Sequence, residues 1–220
     1  MTRSVRPLLI QGNGKLGQAI SLWSLPAGTS CPGRSAICER WCYAKSGQFL
    51  FPSVKDRLQW NLAQTLRDDF VPRMVNEIRR KGVLVIRIHS SGDFGTAGYA
   101  AKWMEIMKQC PQVRYYAYTR SYRVPEIAAV LEQMAQLRCC RLWYSIDAET
   151  GVPLHVPVGV RLAYLQVDND TPEQCDLYFR VRRLRKDRQK RIGLTLICPH
   201  ETPQGKDRGV TCGSCQHCFK

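Results

Sequence analysis

The sequence predicts an α/β fold built on a parallel sheet, and three observations carry that expectation. Stretches of strand and helix character alternate about six times between residues 19 and 197. That order calls for parallel strands joined by right-handed crossovers. Val83-Leu-Val-Ile-Arg-Ile-His89 is a nearly continuous β-branched run, as in a strand buried on both faces. Polar residues also collect where successive strands end, the place at which parallel α/β folds build their sites.

The elements follow in order. Residues 19–26 are apolar and β-prone, and they run into a loop rich in Cys, Pro and Gly. Ser53 is positioned to cap a helix with Val54, Leu58, Leu62 and Leu66 at helical spacing. A second helix is expected over 69–81, using Phe70, Met74, Val75 and Ile78, with Gly82 as its C-terminal stop. The strand 83–89 leads into the turn Ser90-Ser-Gly-Asp-Phe-Gly95 and a helix over 97–109 that Pro111 terminates. Then come a strand over 113–119, a helix over 125–137, and strands over 141–146, 159–165 and 191–197. A poorly patterned segment starts at Thr171, and no linker divides the chain before about residue 198.

The 220 residues suffice for one sizeable core. Hydrophobic content of 44% and charged content of 23% are those of a globular chain. No run of eighteen apolar residues marks a membrane span, and the apolar part of the N-terminus is too short for a signal peptide. A cytoplasmic, reducing location is therefore expected, where clustered cysteines act as metal ligands rather than as disulfides. Eleven cysteines, an odd number, fit that view. A net charge of +15 favours a polyanionic partner, nucleic acid first among them. Gln11-Gly-Asn-Gly-Lys-Leu-Gly17 lacks the phosphate-loop spacing and is read as a turn.

Chemistry is expected at the strand ends. The first strand opens into Cys31-Pro-Gly-Arg-Ser-Ala-Ile-Cys38-Glu-Arg-Trp-Cys42-Tyr-Ala, three thiols on a loop suited to wrapping a soft metal. The next strands end in His89-Ser-Ser-Gly-Asp93, Thr119-Arg-Ser121 and Ser145-Ile-Asp147. Taken singly, His89 reads as a core histidine and Asp93 and Asp147 as caps; their shared position makes a site.

The cysteine loop, with Trp41 directly before its last cysteine, resembles the cluster loop of the radical S-adenosylmethionine superfamily. The order Cys-Pro-Gly…Cys…Cys-Tyr-Ala, Arg-Ile-His-Ser-Ser-Gly-Asp-Phe, Tyr-Thr-Arg-Ser and Ser-Ile-Asp is similar to a phage family called gene product eighty-eight. This resemblance implies a partial (β/α)6 barrel of the radical SAM type, a partial TIM barrel, over residues 1–197, with a cysteine-rich extension over 198–220. It implies that Cys31, Cys38 and Cys42 ligate a [4Fe–4S] cluster with one iron left open for S-adenosylmethionine. Trp41 or Tyr43 would pack the adenine, and Ser91, Gly92 and Asp93 would hold the amino-acid moiety, with Thr119, Ser121, Ser145 and Asp147 alongside. The reaction class implied is reductive cleavage of S-adenosylmethionine, which needs an external electron donor. The gaps between the three cysteines are wider here than the superfamily's usual ones; iron–sulfur loops tolerate such variation.

Two further features lie C-terminal. Cys198 with Cys212-Gly-Ser-Cys215-Gln-His-Cys218 makes a four-thiolate set. Overlapping C-x-x-C steps match ferredoxin-like runs, and zinc is the alternative, with His200 and His217 nearby. Alternatively, Cys198 joins the N-terminal trio and closes that cluster. Cys110, Cys139, Cys140 and Cys175 read as core residues. The run Arg180, Arg182, Arg183, Arg185, Lys186, Arg188, Lys190 and Arg191, with one acid among them, is the expected phosphate-contacting segment. Tyr115, Tyr116, Tyr118 and Tyr122 are candidates for base stacking or for the core. The rival to an enzyme is thus a non-catalytic, metal-stabilised nucleic-acid-binding protein; an electron carrier is a third class.

Overall fold

The computed structural model describes residues 6–220 except Thr171, Glu173 and Asp187. The first five residues, the start of the poorly patterned segment and the single acid of the basic run therefore lie outside the described residues. Two short strands, β1 (Ile10–Gln11) and β2 (Ser21–Trp23), pair antiparallel. The cysteine loop then leaves β2 and carries a short helix, α1 (Ala36–Arg40). Helices α2 (Pro52–Thr65) and α3 (Phe70–Lys81) lead to β3 (Val85–Ile88). Helix α4 (Ala97–Gln109) connects β3 to β4 (Arg114–Thr119), and α5 (Pro125–Ala135) connects β4 to β5 (Cys140–Ile146). Strands β6 (Arg161–Gln166) and β7 (Leu177–Arg180) and the hairpin β8 (Arg191–Ile192) with β9 (Thr195–Ile197) complete the sheet. Two short helices, α6 (Pro203–Asp207) and α7 (Cys212–Cys215), follow.

The result is a nine-stranded sheet in the order β1-β2-β3-β4-β5-β6-β7-β9-β8. From β2 through β7 to β9 every pairing is parallel; only the two end pairs are antiparallel. Such sequential order with right-handed crossovers sends every connecting helix to the same face. Accordingly Ile86, Ile88, Tyr115, Ala117, Leu142 and Tyr144 share one core with Phe70, Met74, Trp103 and Met134 of the helices. Alternate strand residues point the other way, because the side-chain period of a strand is two. Leu22 and Tyr116 meet Leu16, Ile20 and Phe219 there, and Trp143, Ala163 and Leu177 meet Cys198. The C-terminal segment thus lies across the face that the helices leave open.

The α/β class and the parallel sheet agree with expectation. No closure of the sheet into a barrel is seen among the described residues. Helical crossovers stop after α5, so the alternation does not run six times. The segment 191–197 is a hairpin turning at Gly193 rather than one strand, and β7 was not anticipated. Ser53 does not cap α2: Pro52 occupies the first turn, where its fixed φ fits, and Phe51 is the cap. Gly82 does stop α3, in the left-handed conformation at φ 58°. No helix among the described residues is long and apolar enough to cross a membrane.

Candidate functional site

The cysteine loop is bolted to the ends of the parallel strands. Ser35 caps α1 by accepting from the Cys38 N–H (2.9 Å), and its hydroxyl donates to Asp147 Oδ2 (2.6 Å) at the end of β5. Gly33 rests on the chain after β4: a Cβ there would stand 1.9 Å from the Arg120 carbonyl oxygen, so no larger residue fits. Arg123 donates to the carbonyls of Gly33 (3.0 Å) and Arg34 (3.2 Å), and Glu149 accepts from the Ile37 N–H (3.1 Å). Beneath the loop, Arg120 Nη1 sits 2.8 Å from Asp147 Oδ2 in a pair that is almost wholly buried.

The other strand-end residues are engaged with the protein itself. Asp93 accepts from Thr119 Oγ1 (2.6 Å), the Arg120 N–H (2.7 Å) and the Phe94 N–H (2.7 Å), while its burial raises the carboxyl's pKa. Ser91 Oγ donates to the Leu25 carbonyl (2.8 Å), and Gly92, at φ 77°, lies against Leu25 and Ser30 too closely for a side chain. Ser121 is fully buried, and the Ser145 carbonyl accepts from Tyr122 (3.2 Å). The structure therefore brings Ser91, Gly92, Asp93, Thr119, Ser121 and Asp147 together as supports around the loop. His89, at φ 65°, is buried beneath, bonded to Tyr99 (2.9 Å).

Cys31, Cys38 and Cys42 are half-buried free thiols. Burial pushes the Cys31 thiol up to about 12, and the Asp93 carboxylate adds to the rise. Burial raises Cys38 too, against the opposing pull of the Arg120 guanidinium. Trp41 is 38% exposed between the guanidinium groups of Arg40 and Arg183. With Ile37, Val167 and Asp168 these residues line an open groove of about 640 Å³ beside the loop. Tyr43 leans its ring on Phe49, and its hydroxyl donates to the Ser90 carbonyl.

A second set of thiols lies on the open face of the sheet. Cys198, Cys212, Cys215 and Cys218 line one small cavity, together with His200 and His217. Cys198 therefore sits with the C-terminal cysteines and does not complete the N-terminal trio. Burial pushes Cys198 up to about 12 and Cys218 up to about 11. Tyr118 donates to Cys218 Sγ (2.8 Å) and Trp143 Nε1 to the Cys218 carbonyl (3.0 Å). Among the described residues, no three His, Cys, Asp or Glu side chains stand in a geometry that would hold a metal ion. Cys110 and Cys140 are buried in the core, and Cys139 and Cys175 pack against it.

The basic run divides. Arg180 is buried, and Arg185 pairs with Glu201 (2.8 Å) and Arg183 with Asp168. Arg182, Lys186, Arg188, Lys190 and Arg191 are exposed on a 3₁₀ turn and the strand that follows. Tyr115 and Tyr116 are buried, Tyr118 stacks on Trp143 and Tyr122 on Tyr144, so the tyrosines serve packing.

The family model for gene product 88 matches residues 7–220. The chain belongs to the gene product 88 family. It is 32% identical to the Gene 88 protein of Mycobacterium phage L5 over 151 residues, 63% of this chain and 61% of that protein. It is 30% identical to the Gene 88 protein of Mycobacterium phage D29 over a stretch of the same length and coverage. The matched stretch thus spans about three-fifths of these curated relatives. No solved structure matches the chain. The gene product 88 match runs through both cysteine groups.

Sequence reasoning missed Ser35, Gly33 and Arg120 as supports and Lys15 and Arg87 on the open face. Arg87 carried a signal: it interrupts the otherwise apolar run from Val83 to Ile88. Lys15 carried none.

Proposed function

We propose that the chain is an iron–sulfur protein whose Cys31, Cys38 and Cys42 hold a cluster at the carboxyl ends of the parallel strands, and that it works as a radical-SAM-like enzyme. One observation carries this reading: three free, half-buried thiols sit on a single loop pinned at Gly33 and Ser35 to buried strand-end residues. A loop so fixed presents soft donors over the region where parallel folds do chemistry. The donor set suits a cluster, since thiolates are its ordinary ligands; burial raises the Cys38 thiol, and the Arg120 guanidinium beside it opposes that rise. A bound cluster would supply one-electron chemistry, fed by an external donor. The chain's own residues would orient and enclose: Trp41 offers an apolar face in the groove, and Arg40 offers positive charge to an anionic group there. Asp93, Thr119 and Asp147 would act by holding the loop in place.

The deciding measurement is iron and sulfide content of anaerobically purified protein, wild type against Cys38→Ala. Iron that falls by roughly four atoms per chain in the variant supports the cluster. Zinc without iron sinks it. A cluster-replete protein that neither binds nor consumes S-adenosylmethionine under reductant removes the enzyme while leaving the cluster.

A second reading rests on the five exposed cations Arg182, Lys186, Arg188, Lys190 and Arg191 and the charge of +15: phosphate contact with nucleic acid. Its test is the salt dependence of binding to a duplex of arbitrary sequence. Affinity indifferent to salt would exclude it.

A further inference from the structure

We infer that Cys198, Cys212, Cys215 and Cys218 form a second, independent metal centre, a mononuclear zinc tetrathiolate that fastens the C-terminal segment onto the open face of the sheet.

Backbone contacts deliver all four thiols to one place. Cys198 follows β9, its N–H bonded to the Tyr178 carbonyl of β7 (2.9 Å). Cys212 and Cys215 are the first and last residues of α7, three apart and so on one side of the turn. Thr211 and Ser214 bracket that turn in a capping box. Gln216 then reverses the chain in the left-handed conformation, φ 60°, and returns Cys218 to the cavity. The segment is tied down on either side: the Cys212 and Gly213 N–H groups bond to the carbonyls of Lys15 (2.8 Å) and Leu16 (3.0 Å), and Arg161 holds the His217 carbonyl (3.2 Å).

The cavity these thiols line, with His200, His217, Thr211 and Gln216 also in its wall, measures about 20 Å³. That is room for one water-sized body, hence for a single ion rather than a cubane. As they stand the side chains are not gathered for coordination, so binding requires the four thiols, which share one cavity wall, to turn toward its centre. A four-thiolate set with no open position is the arrangement of structural zinc.

Charge gives an independent argument. Arg87 projects from β3 among Tyr43, Tyr116, Tyr118 and Cys212, its guanidinium over the Tyr118 ring (5.6 Å) and its Nε donating to the His89 carbonyl (3.4 Å), with no carboxylate ion pair seen for it among the described residues. Lys15 lies beside Cys198, Cys212 and Glu201 (3.4 Å), and Glu201 is already paired with Arg185 (2.8 Å). On the far side Arg161, Asp176 and Lys220 line an open groove with Cys215 and His217. Lys15, Arg87 and Arg185 thus outnumber the carboxylate of Glu201 in the neighbourhood of Cys198 and Cys212. A half-buried cation without a counter-charge is costly; a divalent ion with four thiolates carries two negative charges and supplies what is missing.

The test uses the full chain. Zinc and iron are measured on protein purified in reducing buffer. The protein is then stripped with chelator and titrated with cobalt(II), whose thiolate charge-transfer and visible bands report tetrahedral sulfur ligation. One zinc per chain is expected, replaceable by one cobalt with those bands. It should be retained in Cys38→Ala and lost, or weakened at least tenfold, in Cys215→Ser. Should Cys215→Ser fail to fold, thiol counting on native wild type decides: removing zinc should make four additional thiols reactive. Absence of zinc and cobalt binding overturns the inference, as does metal held equally by Cys215→Ser. Iron at several atoms per chain that depends on Cys215 overturns the zinc assignment. Since Cys38→Ala reads only the loop cysteines Cys31, Cys38 and Cys42 and Cys215→Ser only the C-terminal four, the two centres fail separately.

Discussion

Replacing Asp147 separates a residue that holds the cysteine loop from one that merely touches a ligand. In Asp147→Ala the Arg120 guanidinium, 6% exposed, loses the carboxylate 2.8 Å away. Leaving one member of a buried pair alone costs about 3–5 kcal/mol. The Ser35 hydroxyl, also buried, loses a charged acceptor at 2.6 Å, worth about 1.5–3 kcal/mol. These groups share one network, so the losses do not add fully, and a combined cost of about 5 kcal/mol is expected. That is a large part of the roughly 5–15 kcal/mol that holds a domain folded. Arg120→Met combined with Asp147→Leu removes both charges together and should cost only about the 1.5–3 kcal/mol of the lost Ser35 bond. Both proteins lose the Ser35 tether, so both should alkylate faster at Cys38, whose N–H is held by Ser35. Urea unfolding gives the energies, and mass spectrometry of the 31–42 peptide after timed alkylation gives the loop. Equal destabilisation of the single and double variants would refute the buried-pair argument. An unchanged Cys38 rate in both would refute the tether.

Three further outcomes follow from the same contacts. Gly33→Ala places a Cβ where only 1.9 Å separates it from the Arg120 carbonyl, so the loop must lift; metal or iron bound at Cys31, Cys38 and Cys42 should drop while the far-ultraviolet dichroism stays native. Tyr99→Phe strips the acceptor from Trp23 Nε1 (2.8 Å) and Trp103 Nε1 (2.8 Å) and the partner from His89 Nε2, and at about 1–3 kcal/mol for each stranded group the urea midpoint should fall by the equivalent of about 3–9 kcal/mol. A loss under about 1 kcal/mol would show that the network is not formed. Burial, with Arg87 nearby, lowers the His89 pKa to about 3. Below about pH 6.5 the unfolded chain takes up a proton that the folded chain refuses, so stability falls by about 1.4 kcal/mol per pH unit down to the folded pKa. Stability measured from pH 7.5 to 5 should therefore decline more steeply in wild type than in His89→Asn, and parallel curves would contradict the assignment.

How much of this the sequence disclosed depends on whether a feature is local. The helices α3, α4 and α5 were legible because helical periodicity and the Gly82 stop are written within a few residues of one another. Strand β7 was not: Leu177-Tyr-Phe-Arg180 has no alternation of polar and apolar residues, since one face meets Tyr164 and the other meets the C-terminal segment. The cysteine groups were legible as spacing, but their supports were not, because Gly33 against Arg120 and Ser35 against Asp147 join positions about ninety and 112 residues apart.

Hydrogen-bond counting shows what the structure adds at one such position. Tyr99 oxygen accepts from two indole N–H groups, which can only donate, so both its lone pairs are used. Its proton must then go to His89 Nε2, which fixes His89 as the neutral tautomer protonated at Nδ1. That Nδ1 has no partner among the described residues. A sequence shows only a histidine after a β-branched run, whereas the packed core makes it an acceptor with a set proton and a left-handed backbone. Two residues on, Ser91 and Gly92 take up their contacts with Leu25, and the chain continues to Asp93. His89 thus shapes the site by turning the strand end toward the loop.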